Sequence, residues 1–227
     1  MKYNIIIFDL DDTVLDFTAN ERCSLNRVME GKGIEDKDRF RVVYKAINHE
    51  MWESYSKGEI DQEELLDNRF SRAMKEYDGS EINGREWDVM YRENLSKGGQ
   101  IMDGALEMLE ALHKTHRLFI ATNGVHETQE NRIRISGIGK YFENVFDSDT
   151  IGFRKPDKRF FEYIMRHVEG FEIEKALMVG DNIHTDIAGA KNAGIATCLF
   201  KYHSEEPEDN ISDYFINDLS ELENIVK

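Results

Sequence analysis

Ile5-Ile6-Ile7-Phe8-Asp9-Leu10-Asp11-Asp12-Thr13 is the stretch from which the rest of the chain can be read. An apolar run of β-branched and aromatic residues reads as a strand buried on both faces, and it ends in three carboxylates within four positions. Asp9 and Asp11 lie two apart, so on an extended chain they share one face while Asp12 points elsewhere. Two carboxylates held together at a strand end repel unless something positive sits between them. A divalent metal with oxygen ligands meets that need, and Mg²⁺ suits a site with few protein carboxylates and an anionic substrate. Taken alone, the same residues also read as an acidic turn facing water.

The 227 residues suffice for one large core, or for a core with a modest second domain. Hydrophobic residues make up 40% of the chain and there are only two prolines, which is the composition of an ordinary globular protein. The net charge of −16 repels nucleic-acid backbones and anionic membranes, so no polymeric nucleic acid and no membrane is expected as partner. It would also repel a small phosphorylated metabolite, so an anion site has to be found through its few lysines and arginines. Cys23 and Cys198 lack CxxC spacing and suggest neither a disulfide framework nor a zinc site. The opening residues carry no signal-peptide pattern and no apolar run has the length to cross a bilayer, so a cytoplasmic location is the expectation.

Moving outward from the first strand, the texture changes twice. From about Thr18 to Lys97 the pattern is helical almost throughout. Phe40, Val43, Ile47 and Met51 recur at three- and four-residue steps, as do Leu66, Phe70, Met74 and Tyr77, and Trp87, Met90 and Tyr91 mark a further helix. After Gly98-Gly99 strands and helices alternate. Strands are expected at 118–122, around 145–146, at 176–179 and 196–200, with an edge strand at 214–216. Helices are expected near 103–114, 127–136, 158–168, 186–193 and 220–226. Alternation of this kind implies right-handed crossovers and a parallel sheet covered on both faces. The fold class is therefore α/β: a Rossmann-like parallel sheet built from residues 1–16 and 100–227, interrupted by an all-helical insertion at 17–99. The Gly98-Gly99 pair at the second junction reads as a hinge or as a plain turn.

Ligands of an open parallel sheet collect beyond the carboxyl ends of its strands. The first strand is followed there by Asp9 to Thr13, the second by Thr122-Asn123-Gly124. The loop after the third holds Arg154-Lys155-Pro156, and the fourth gives Gly180-Asp181 with Asp186 five residues on. Asp9 could serve as a nucleophile that forms an aspartyl-phosphate, and Asp11 could protonate the leaving oxygen and later activate water. Mg²⁺ would be held by Asp9, the carbonyl of Asp11 and Asp181. Thr122 and neighbouring backbone amides would hydrogen-bond the phosphoryl oxygens, and Lys155 would add a point charge. Each piece has a plainer reading as a surface lysine, a turn or a helix cap, and His184 leaves a His/carboxylate metal site conceivable.

These four segments resemble, in order, the four motifs of the haloacid dehalogenase superfamily. The match is DxDxT at Asp9–Thr13, a hydroxyl residue at Thr122 followed by Asn123, the lysine of Lys155-Pro156, and GDxxxxD at Gly180–Asp186. The insertion stands where that family carries a helical cap. The resemblance implies Asp9, Asp11, Thr122 and Lys155 as catalytic residues, and Thr122, Asn123 and Lys155 as phosphate ligands. It also implies Mg²⁺ at Asp9, Asp11 and Asp181, with Asp186 behind them. Asp11 argues for phosphoryl transfer, because departure of a halide needs no proton. Within the superfamily the chain looks most like the pyrimidine-nucleotide 5′-phosphatase branch. Sugar-phosphate phosphatases, such as those acting on sialic-acid 9-phosphate, are similar, as is a phosphomutase. Phosphonate cleavage through a cap lysine and a phosphate-sensing binding protein are the remaining alternatives. The expected partner is a small phosphorylated metabolite, and the expected assembly a monomer or homodimer.

Overall fold

The computed structural model describes residues 1–227 and divides into two compact units, Met1–Phe17 with Gly99–Lys227, and Thr18–Gly98. The first is a six-stranded sheet in the order β3-β2-β1-β4-β5-β6, parallel throughout. Its strands are β1 (Ile5–Phe8), β2 (Arg117–Thr122), β3 (Asn144–Asp147), β4 (Ala176–Gly180), β5 (Ala196–Phe200) and β6 (Tyr214–Ile216). Period-two alternation sends Ile6 and Phe8 into one apolar layer and Ile5 and Ile7 into the other. The first layer is closed by Ala105, Met108, Leu109 and Leu112, and by Leu222 and Val226 near the end of the chain; the second is closed by Phe160, Phe161 and Ile164. This explains why β1 reads as an uninterrupted apolar run. Successive strands spread from β1 to β3 on one side and then return to β4 on the other, so the topological switch lies between β1 and β4.

The helical unit carries α1 (Phe17–Gly31, whose first residue belongs to the sheet unit), α2 (Lys37–Lys57), α3 (Gln62–Asp78) and α4 (Gly84–Leu95). Asp36, Asp61 and Asn83 cap α2, α3 and α4 by accepting from backbone N–H groups three residues on. The stripe that α2 buries is Phe40, Tyr44, Asn48, Met51 and Tyr55, while Val43 and Ile47 are only half-buried. The shift has a physical reason. The Tyr44 ring packs at a tilt with its centroid 4.6 Å from that of Phe70 and 5.7 Å from that of Tyr91, and Asn48 accepts at 3.1 Å from the buried Arg69 guanidinium. Arg69 also donates to Asp88, whose second oxygen accepts from Arg92 at 2.6 Å.

In the sheet unit the remaining helices are α5 (Ala105–Leu112), α6 (His126–Ser136), α7 (Ser148–Ile151), α8 (Lys158–His167), α9 (Ala188–Asn192) and α10 (Leu222–Val226). The helix expected at 186–193 starts earlier, as a π turn over Ile183–Ile187, because the Asn182 side chain accepts from the N–H groups of His184 and Thr185. The short α7, not foreseen, forms because Asp147 at the end of β3 caps it through Thr150 N–H. The closing helix is preceded by a 3₁₀ turn, Leu219–Glu221, built on a capping box between Asp218 and Glu221.

Candidate active site

Asp9 continues the β1 ladder by donating its backbone N–H to Val179 O at 2.8 Å, which fixes it beside β4 at the switch point. The chain then turns back. Asp12 takes a positive φ of 54°, and the N–H groups of Val14 and Leu15 return to Leu10 O. The two-residue spacing suggests one shared face, but this turn parts the two side chains: Asp9 meets Lys155, while Asp11 meets Gln129 and Arg132.

Lys155 reaches the same place from the loop between α7 and α8. It is 2% exposed, and its ammonium donates to Asp9 Oδ1 at 2.6 Å, to Asp186 Oδ1 at 2.7 Å and to Ala121 O at 2.7 Å. All three ammonium protons are therefore committed, so what Lys155 has left to offer a neighbouring anion is its charge and not a spare N–H. Asn123, expected as a phosphate ligand, spends its side chain elsewhere. Its Oδ1 accepts from Lys155 N–H and its Nδ2 donates to Lys155 O, both at 2.8 Å, so the amide clamps the backbone that delivers the lysine. A role toward phosphate is left to its main chain.

Asp186 stands on the π turn after β4. Its Oδ1 faces Lys155 and its Oδ2 accepts from Asn182 N–H at 3.0 Å. Gly180 makes room for it: a Cβ there would lie 2.4 Å from Asp186 Oδ2. The carboxylates of Asp9, Asp181 and Asp186 each offer an oxygen within 4.8 Å of the others. One ammonium against three carboxylates leaves two negative charges in excess when all are ionised. Burial above all raises the Asp9 pKa to about 7, with Asp186 and Asp11 adding and Lys155 opposing. Loss of hydration, then Asp186 and Asp9, raise Asp181 well above the usual carboxylate range. Burial pulls the Lys155 pKa down, but Asp186 and Asp9 outweigh it and leave the value raised. Hard oxygen donors with this surplus charge fit a divalent cation such as Mg²⁺. His184 is exposed and stands apart from the cluster, which therefore lacks the imidazole of a transition-metal site.

The Asp11 carboxylate is turned away from that cluster toward α6. It accepts from Arg132 at Oδ1 and from Gln129 Nε2 at 2.7 Å at Oδ2. Thr122 Oγ1 accepts from Gln129 Nε2 and from Gly124 N–H, each at 3.0 Å. Sequence reasoning passed over Gln129 and Arg132, since α6 is polar on most of its surface. The signal was positional: two hydrogen-bonding residues three apart, on the first turns of the helix that follows the Thr122 loop.

A fold and a cluster of this kind define a hydrolase class, and similarity to known proteins agrees. The family model for haloacid dehalogenase-like hydrolases matches residues 3–194. The chain belongs to the haloacid dehalogenase-like hydrolases. It is 35% identical to the HAD-hydrolase YfnB of Bacillus subtilis over 99% of its length and 96% of that protein. It is 36% identical to the pyrimidine 5′-nucleotidase PynA of Streptococcus pneumoniae over 91% of its length and 87% of that protein, and 28% identical to the pyrimidine 5′-nucleotidase YjjG of Escherichia coli over 100% and 99%. The crystal structure of YfnB bound to magnesium superposes with a TM-score of 0.93, covering 100% of both chains at 35% identity. L-2-haloacid dehalogenase of Xanthobacter autotrophicus, at 17% identity and a TM-score of 0.77 over 99% and 98%, shares the fold. With nucleotidases matched over nearly its full length, the chain is a phosphoric monoester hydrolase. No helix is long and apolar enough to cross a membrane.

Proposed function

We propose that the protein hydrolyses a small phosphate monoester in two steps through an aspartyl-phosphate on Asp9, with a pyrimidine nucleoside 5′-monophosphate as the leading substrate. The observation that carries this reading is the placement of Asp9. It lies at the end of the central strand, held by Lys155 and facing Asp181 and Asp186 within one cluster. Asp9 attacks phosphorus while Asp11 gives its proton to the departing alcohol oxygen. Asp11, now ionised, takes a proton from water, whose oxygen attacks phosphorus and releases phosphate and the free Asp9 carboxylate. Thr122 donates to a phosphoryl oxygen, and the Lys155 charge offsets part of the negative charge gathered there. Asp9 and Asp181, with the Asp11 carbonyl and Asp186 in support, are the residues to hold Mg²⁺. When bound, the ion would neutralise phosphoryl charge and the repulsion among the carboxylates. The nucleotide preference rests on the likeness to PynA and YjjG.

Phosphate release from a panel of nucleotides and sugar phosphates tests this reading. Pyrimidine nucleoside 5′-monophosphates should lead in the presence of Mg²⁺. Turnover should vanish with EDTA and in Asp9→Asn, and acid quenching with ³²P-labelled substrate should trap label on the wild-type chain alone. Undiminished turnover by Asp9→Asn, or activity surviving EDTA, refutes the nucleophile or the metal respectively. Isomerised sugar phosphate without stoichiometric phosphate release would mark a mutase instead.

A further inference from the structure

Gln129 is 3% exposed and Arg132 1% exposed, yet both end in polar groups, and the hydrogen bonds between them have only one consistent direction. A guanidinium carries donors and no acceptor. The Gln129 atom that lies 2.8 Å from Arg132 Nη1 is therefore the carbonyl Oε1. This sets the other end of the amide. Nε2 has two protons, and its two partners are Asp11 Oδ2 at 2.7 Å and Thr122 Oγ1 at 3.0 Å. Thr122 Oγ1 accepts a second bond from Gly124 N–H. With both lone pairs engaged, that hydroxyl has only its proton left to offer.

Gly124 supplies an independent sign that the amide is built into the site. A Cβ at that position would lie 2.1 Å from Gln129 Nε2 and 2.6 Å from its Cδ. The loop after β2 thus leaves out a side chain where the amide sits. Arg132 is itself held from the other side, with its guanidinium 5.5 Å from the centroid of the Phe17 ring.

Resting on the reading of Asp11 as acid and base, we propose that Gln129 is a positioning residue for the phosphatase reaction. Its amide turns the Thr122 hydroxyl into a fixed donor for the phosphoryl group. It also holds the Asp11 carboxyl beside that group for protonation of the leaving oxygen, while Arg132 locks the amide against rotation. Each Asp11 oxygen keeps a second lone pair, on which the transferred proton is carried. One side chain thereby ties the phosphate-binding hydroxyl to the proton donor.

The test compares kcat/KM for two kinds of ester. One is an alkyl phosphate, whose alcohol must be protonated to leave. The other is p-nitrophenyl phosphate, whose phenol leaves as the anion. This parameter reports the steps through phosphoenzyme formation, so the later role of Asp11 as base does not enter. Asp11→Asn sets the reference and should lower the alkyl-to-aryl ratio by roughly 10²-fold. Gln129→Leu and the nearly isosteric Gln129→Glu should each lower it about tenfold, on top of an equal loss on both esters from the freed Thr122 hydroxyl. A purely structural role would lower both rates and leave the ratio alone. Should Gln129→Leu fail to fold, Gln129→Glu, which keeps an acceptor for Arg132, carries the test. An unchanged ratio in a folded Gln129 variant, with the ratio collapsed in Asp11→Asn, overturns the positioning role. An unchanged ratio in Asp11→Asn overturns the acid assignment beneath it.

Discussion

Replacing Lys155 with methionine removes one ammonium from a pocket that holds three carboxylates, and the consequence can be worked from the distances. Lys155 is buried and bonded to Asp9, Asp186 and Ala121 O, and the oxygens of Asp9, Asp181 and Asp186 lie within 4.8 Å of one another. At an effective dielectric of about 20, two ionised carboxylates at that separation repel by roughly 3.5 kcal/mol. Protonation of one of them relieves most of this, so the net loss follows the range for breaking a buried pair, about 3–5 kcal/mol. For a chain of this size that is a fall in Tm of roughly 10 °C. The pH dependence carries a definite sign. Lys155 lowers the Asp9 pKa, which still stands at about 7, so its removal raises that value further. A carboxyl whose folded pKa is raised costs the fold nothing below its unfolded value; the cost grows as pH rises and levels off above the folded value, near 7 in the wild type and higher in the variant. The stability deficit of Lys155→Met should therefore be largest near pH 9 and shrink as pH falls through 7. Urea unfolding of the metal-free proteins at about pH 9 and pH 6 measures it. A deficit under about 1 kcal/mol at the higher pH, or one of equal size at both, refutes the account of the cluster given above.

Three further outcomes are expected. In Gly180→Ala the new methyl meets Asp186 Oδ2 at 2.4 Å and must displace that carboxyl, so kcat should fall by about 10²-fold with the fold retained; wild-type turnover would show that Asp186 need not stand there. Arg69→Met leaves the fully buried Asp88 with Arg92 as its remaining cation and should destabilise the helical unit by about 3 kcal/mol in urea; a neutral result would mean that Arg92 alone satisfies Asp88. His126 has its pKa raised by the hydrogen bond to Asp147, so its contribution is present below the unfolded value near 6.5 and lost as pH rises through the folded one. His126→Gln should thus lower Tm slightly at pH 5.5 and not at pH 8.5, the effect being small because the ring is half exposed.

The four inner strands, β1, β2, β4 and β5, were legible because they are buried on both faces over nearly their whole length. The expected strand at 196–200 coincides with β5, and β2 and β4 differ from expectation by one residue at one end. The α2 stripe was misread by one residue at its two middle positions, since Tyr44 and Asn48 carry polar groups and their burial depends on Phe70, Tyr91 and Arg69 from other helices. The four segments at the strand ends could be seen by rule, because a parallel sheet sends every βα loop to the same edge. Their hydrogen-bond partners could not. Nothing in the local sequence says that the Asn123 amide serves the Lys155 backbone, or that Asp11 turns toward α6, because those choices are made by donors and acceptors distant in the chain.

The middle position of β1 bears on how the chain is made. One of its neighbours ends at Thr122 and the other at Gly180, so of the interior strands β1 waits longest between its own synthesis and that of its second neighbour. At ordinary synthesis rates Phe8 waits about 10–35 s for Val179 to appear. The Thr18–Gly98 unit, with its own aromatic interior, can settle in that interval, while Ile5–Phe8 has no strand beside it until β2 emerges and keeps one edge open until β4 does. Chains terminated before β4 would keep that edge of β1 open permanently, which makes premature release a route to aggregates rather than to a smaller working enzyme.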